Sequence, residues 1–287
     1  MSMTSAPGKL LLLGDHAVVY GRPCIVTAVS QRLYVSEKET DYLGDRRFID
    51  AAVKAWGIGN ETLCAKSDFS ATVGLGSSSA VTVAALKALR PAASNRELFD
   101  AAYKIVLDIQ GRGSGFDVAA AIWGGTLYFV TGGKVIQPLN VKDMPLVVGY
   151  TGIKADTATL MANVAEKMKV QPERVERIYD AIAKLVEEAK MKMLNGDWEQ
   201  VGKLMDFNQE YLRDLGVSSE KLEALISAAK AAGAWGAKLS GAGGGDCMIA
   251  LHPDGAQGKR RVEEAVTKAG GQVIHITTGA PGVRRDT

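Results

Sequence analysis

The chain has 287 residues, 34 Lys+Arg against 32 Asp+Glu, a formal net charge of +2 and a 47% hydrophobic share. That length suggests two domains or one large one. The apolar share excludes a disordered chain, and the near-neutral balance gives no electrostatic reason for a nucleic-acid or anionic-membrane partner. Cys24, Cys64 and Cys247 are odd in number and far apart, and His16, His252 and His275 are scattered, which argues against a disulfide framework or zinc site and for a reducing cytoplasm.

In chain order, residues 10–13 are a short apolar run ending at Gly14. Residues 24–29 and 33–36 are β-rich, with polar Ser30, Gln31 and Arg32 between them. Asp45 is the expected N-cap of a helix carrying Phe48, Ile49, Ala52, Val53 and Trp56, stopped by Gly57. A Gly/Ser loop at 74–79 leads to a helix over 80–89, which must finish before Pro91. Ser94 and Glu97 form a capping box for a helix to about Ile109. A strand over 126–130 turns at Gly132-Gly133 and pairs back through Val135 and Ile136.

After a strand over 146–150 the texture becomes helical. The expected helices start near Thr157, at Pro172 (the N1 position), at Trp198 and at Lys221. Strands over 247–251 and 273–276 close the chain, with a helix over 258–269 between them. No segment approaches the ~20 apolar residues of a membrane span, and the N-terminus lacks the apolar run of a signal peptide. The change of texture places a domain boundary near 140–150.

Three glycine-bearing sites carry chemistry. Gly74-Leu75-Gly76-Ser77-Ser78-Ser79 precedes a helix, so the backbone can wrap an anion at a helix start, where N–H groups are unpaired and serine hydroxyls can meet phosphate or Mg2+. It is neither a Walker A loop nor the dinucleotide fingerprint. A plain turn with a serine N-cap fits it equally well. Gly241-Ala242-Gly243-Gly244-Gly245 lies directly against an apolar strand, which favours a ligand loop over a linker. Asp117 follows Gly113-Ser114-Gly115-Phe116 at the head of an apolar segment and reads either as an N-cap or as a working carboxylate. Lys9, before the apolar run, is by itself an ordinary surface lysine.

These pieces occur together and in order in one family: the chain resembles the GHMP small-molecule kinases, and within them the mevalonate kinases. The first motif runs from Ala6-Pro7-Gly8-Lys9 through Gly14-Asp15-His16 to Tyr20-Gly21. The second is Gly74-Leu75-Gly76-Ser77-Ser78, and the third is Lys238-Leu239-Ser240 through Gly245. Asn208-Gln209 with Leu212 and Leu215-Gly216-Val217 is also similar.

The resemblance implies an α+β fold of two domains. Residues 1–145 would be like the second domain of ribosomal protein S5, residues 146–287 would be ferredoxin-like, and ATP and a small-molecule alcohol would lie in the cleft. It implies that residues 74–79 cradle the phosphates, that Ser78 ligates Mg2+, that Asp117 accepts or orients the hydroxyl proton, and that Lys9 stabilises the developing charge. Asp15, His16, Thr157, Gly241, Ala242 and Gly243 would lie at the substrate. Homodimerisation is left open.

Departures accompany the matches. Asp15 stands where mevalonate kinases usually have Glu. Val106 stands where they have a metal-binding Glu, with Asp108 as a candidate replacement. Asp246 stands where another Gly is usual. The 113–118 string, the Asp246-Cys247 ending and Arg112 are closer to phosphomevalonate kinases, which are the alternative; a non-catalytic nucleotide-binding homologue is a second alternative. The first motif and the 208–217 region favour mevalonate as acceptor.

Overall fold

The computed structural model describes residues 3–37, 44–57, 62–141, 143–253 and 255–286. Among them the elements run β1 (Met3–Leu13), β2 (Pro23–Ser36), α1 (Arg47–Trp56), β3 (Cys64–Ser67), α2 (Ser77–Leu89), α3 (Asn95–Gln110), α4 (Phe116–Trp123), β4 (Thr126–Val130), β5 (Val135–Leu139) and β6 (Leu146–Tyr150). There follow α5 (Thr157–Val170), α6 (Pro172–Leu194), α7 (Trp198–Leu215), α8 (Glu220–Ala231), β7 (Gly236–Ser240), β8 (Cys247–Leu251), α9 (Ala256–Lys268), β9 (Gln272–Val273) and β10 (Arg284–Asp286). Two antiparallel sheets result, ordered β10-β1-β2-β4-β5 with β3 also on β2, and β7-β8-β6-β9. The α+β class expected from the sequence is the one found. No helix among the described residues is long and apolar enough to cross a membrane.

The run at 10–13 is continuously apolar because β1 is buried on both faces. Leu11 enters a core beneath α1 to α4, whereas Leu10, Leu12 and Leu13 enter one shared with β6, β8, α6 and α7. A third core fills the space between the second sheet and the C-terminal helices. Helix α2 is buried from Ser79 to Leu86 and rich in small residues, as befits a helix surrounded by protein.

Several expectations are corrected. Residues 24–29 and 33–36 belong to one strand, β2. The polar stretch between them marks a change of neighbour, because residues 23–27 pair with β4 and 33–36 with β3, while β1 follows the other edge. The N-cap of α1 is Arg46; Asp45 instead accepts from the Arg47 N–H at 3.0 Å. Helix α2 begins at Ser77, not at 80. Residues 236–240, to which the sequence pattern assigns no element, form β7, whose Gly236 packs so tightly on Gly202 of α7 that neither tolerates a Cβ. Strand β9 stops at Val273. The capping box at Ser94 and Pro172 at the first turn of α6 are as expected.

The chain's return to the first sheet as β10 was not expected at all. Arg32, 4% exposed, holds it. Its Nε donates to Ser5 Oγ (2.8 Å), and its terminal nitrogens donate to the carbonyls of Ser5 (3.0 Å), Pro281 (2.8 Å) and Gly282 (2.8 Å). Gly282 lies directly against Gly124. Arg32→Ala strips these carbonyls of a charged donor and is expected to cost about 3 kcal/mol. A thermal melt should show Tm lowered by roughly 6–12 °C. A shift under about 2 °C would mean that the segment docks without it.

Candidate active site

Lys9 stands at the centre of the site. The β1–β2 register shifts between Pro7 and Lys9, and such an irregularity re-aims the neighbouring side chain. Lys9 stays paired with Ala28, its N–H faces away from β2 to Leu75 O (2.9 Å), and Nζ donates to Gly74 O (3.0 Å). Gly76 has a φ of +79°, and a Cβ there would lie 3.0 Å from both Cγ and Cε of Lys9, so glycine is required twice over. Nζ is also 5.4 Å from the ring centre of Phe116, the first residue of α4. The lysine therefore stands between the starts of two helices, α2 and α4.

Both starts are capped by glycines, Gly76 and Gly115, with no side-chain cap. The dipole ends and the first N–H groups stay available to an anion, apart from the Val118 N–H in the first turn of α4, which Asp117 takes. Ser77 and Ser78 are half-buried in the first turn of α2. Ser79 Oγ and Ser114 Oγ, one beside each helix start, are buried without a partner among the described residues. Asp117 is the second residue of α4, so the N-cap reading is excluded. It is half-buried, and its Oδ1 accepts from the Val118 N–H at 3.1 Å.

The loop after β7 closes on this region. Asp246 adopts φ +53°, a left-handed conformation that Asp tolerates and where Gly is the easier choice. Its Oδ1 accepts from the Ala155 N–H at 2.9 Å, and its carboxylate lies against Gly74. Burial raises its pKa above the ordinary carboxylate value, opposed by the Ala155 N–H, Lys9 and Lys154. Gly243, at φ +83°, has no room for a Cβ against Val217 O, which also accepts from the Gly244 N–H at 2.7 Å.

Opposite that loop, His16 adopts φ +59° and ψ −50°, with the Ala17 N–H donating to Asp15 O at 2.7 Å. This is the rare positive-φ form of γ-turn, a strain of about 1–3 kcal/mol held only by its surroundings. His16 Nε2 bonds Ala242 O at 2.9 Å. A carbonyl only accepts, so Nε2 carries the proton. Burial lowers the ring's pKa, which leaves it neutral, and Nδ1 is a bare, buried acceptor without a partner among the described residues.

The other expected residues are placed as follows. Asp15, expected beside the substrate, has no exposed surface and both oxygens engaged: Oδ2 with Lys238 Nζ (2.6 Å) and Oδ1 with the Gly241 N–H (2.7 Å). Gly241 is half-buried, and Thr157 is exposed at the start of α5. Val106 is packed in the first core. Asp108 is exposed and paired with Lys104 at 2.8 Å. Arg112 is exposed. The described residues contain no group of three or more His, Cys, Asp or Glu able to hold a metal.

Lys238, Asn208 and Gln209 stand in the motifs quoted above but carry no role there. Asn208 Oδ1 accepts from the Gly14 N–H at 3.4 Å, and Gln209 Oε1 accepts from the Leu239 N–H at 3.0 Å. The available signal was a lysine between Ala237 and Leu239, since a cation among strand residues needs a buried partner.

The family model for the GHMP kinases N terminal domain matches residues 46–125, and that for GHMP kinases C terminal matches 189–271. The chain is 36% identical to a mevalonate kinase of Pyrococcus horikoshii and 34% identical to one of Thermococcus gammatolerans, in each case over 98% of this chain and 97% of the relative. The crystal structure of L. major mevalonate kinase in complex with R-mevalonate superposes with a TM-score of 0.81 at 24% identity, covering 96% of this chain and 95% of that one. With both halves matched and relatives alike over nearly their full length, the chain belongs to the GHMP kinase family.

Proposed function

We propose that this kinase transfers the γ-phosphoryl group of ATP to the 5-hydroxyl of mevalonate, giving 5-phosphomevalonate. The observation that carries the transfer is the convergence of two glycine-capped helix starts on Lys9, with Asp117 in the first turn of the second. Phosphoryl transfer needs positioning and charge neutralisation more than covalent chemistry. The α2 start, with Ser77, Ser78 and Ser79, holds the phosphates, and Lys9 neutralises charge on the group in flight. Asp117 takes or orients the proton of the attacking hydroxyl. The bare Nδ1 of His16 accepts a hydroxyl hydrogen from the acceptor, near Gly241, Ala242 and Gly243, with Thr157 at the rim.

The donors present fit a Mg2+ ion carried in with the nucleotide. The Ser78 hydroxyl would hold it together with phosphate oxygens, in keeping with Mg2+ sites that rely on few protein ligands. When bound, it would add charge neutralisation on the phosphates. The three cysteines are buried and unpaired, which supports a reducing, cytoplasmic setting.

Mevalonate as acceptor is supported by the relatives' similarity over nearly the whole chain. The second reading, 5-phosphomevalonate, is favoured by the Asp246-Cys247 ending and by the exposed Arg112. A coupled ADP-release assay decides: turnover with mevalonate and none above background with 5-phosphomevalonate is expected. Robust turnover confined to 5-phosphomevalonate would overturn the choice, and silence towards both would favour the non-catalytic homologue.

A further inference from the structure

We propose that Asp15 and Lys238 are positioning residues, a buried pair that fixes the third glycine loop against His16 and thereby sets the seat of the alcohol. This rests on the reading above that the acceptor lies beside His16. Both side chains are 0% exposed and lie 2.6 Å apart, although 223 residues separate them in the chain. Such a pair is a poor source of stability, because the desolvation of two charges offsets their attraction and an apolar pair of similar volume often does as well. Its value lies in what the carboxylate holds.

Oδ1 takes the Gly241 N–H at 2.7 Å, and the next residue's carbonyl, Ala242 O, holds His16 Nε2 at 2.9 Å. Asp15 and His16 are chain neighbours, so the four residues close a ring across the two halves of the molecule. Lys238, also bonded to Leu239 O, engages Oδ2 and leaves Oδ1 turned to Gly241. Strand β7 gives it a firm base. Leu239 N–H is held by Gln209, and Ser240 Oγ bridges the N–H (3.2 Å) and the carbonyl (3.0 Å) of Leu11.

Neutral pairs separate positioning from stability. Asp15→Leu with Lys238→Met removes both charges and the acceptor for Gly241. Asp15→Asn with Lys238→Met removes the charges but keeps that acceptor. The Leu/Met pair is expected to melt within roughly 5 °C of wild type. Its KM for the alcohol should rise about 10–100-fold, the worth of one charged hydrogen bond. Its KM for ATP should change less than about 3-fold, and amide exchange over 241–245 should quicken. The Asn/Met pair should recover most of the alcohol KM and slow that exchange again.

An unchanged alcohol KM in the Leu/Met pair, an equal rise for both substrates, or an Asn/Met pair as poor as Leu/Met would each overturn the proposal. If Leu/Met does not fold, Asp15→Ser with Lys238→Met, which places no acceptor within reach of Gly241, carries the same expectations. A wild type silent towards every acceptor defeats the functional reading, whereas an active wild type with an unaltered Leu/Met pair defeats this inference alone.

Discussion

Asp117→Ala is expected to give a folded protein whose turnover is lower by about 10³–10⁴-fold, the upper part of the range for a general base. The fold should survive because Gly115, not Asp117, caps α4, and the carboxylate's bond is a local one to Val118. A shift of Tm beyond about 5 °C would indicate a structural role instead. Asp117→Asn refines the result. The amide keeps an oxygen to orient the hydroxyl but cannot take its proton, so a loss as deep as that of the alanine variant assigns proton acceptance. Steady-state rates with saturating ATP and alcohol give both answers, and a variant retaining a tenth of wild-type kcat would remove Asp117 from the chemistry.

Lys9→Met should lower kcat by about 10²–10³-fold, the cost of one preorganised charge in a site of this kind. It should also raise the KM for ATP, because Nζ is bonded to Gly74 O at 3.0 Å and its loss frees the phosphate loop. The two effects distinguish this lysine from a residue that only binds, which would raise KM and spare kcat. Arginine is not expected to rescue. The Lys9 stem lies along Gly76 with no slack, and a planar guanidinium cannot occupy the place of a compact ammonium. A Met variant with wild-type kcat would strike Lys9 from the mechanism.

The order of elements was legible because most boundaries carry local signals. Ser94 with Glu97, Pro172 and Gly132-Gly133 each act within a few residues. The strands were harder. Polar residues 30–32 interrupt an apolar pattern without interrupting β2, since strand continuity is decided by the neighbour on the other edge. Gly236, Lys238 and Ser240 hid β7 for a similar reason. Each is explained by a contact from far along the chain: Gly202, Asp15 and Leu11, respectively.

In the site, Lys9 is an ordinary lysine until the register shift and the loop at 74–79 are seen together. Asp117 became distinguishable from a cap once Gly115 was found in that place. Family resemblance pointed to Asp15 as a residue near the substrate, whereas burial and two short contacts turn it inward. No window of sequence holds that information, because it depends on a cation 223 residues away.

Arg32 and β10 bear on biosynthesis. While the amino-terminal half emerges from the ribosome, the Met3–Ser5 stretch of β1 lacks its β10 partner, and Arg32 lacks the two carbonyls supplied by Pro281 and Gly282. An open strand edge of this kind invites pairing with other nascent chains. Docking of residues 281–286 therefore completes the amino-terminal sheet late in synthesis, and a variant lacking this stretch would leave β1 and Arg32 without those partners.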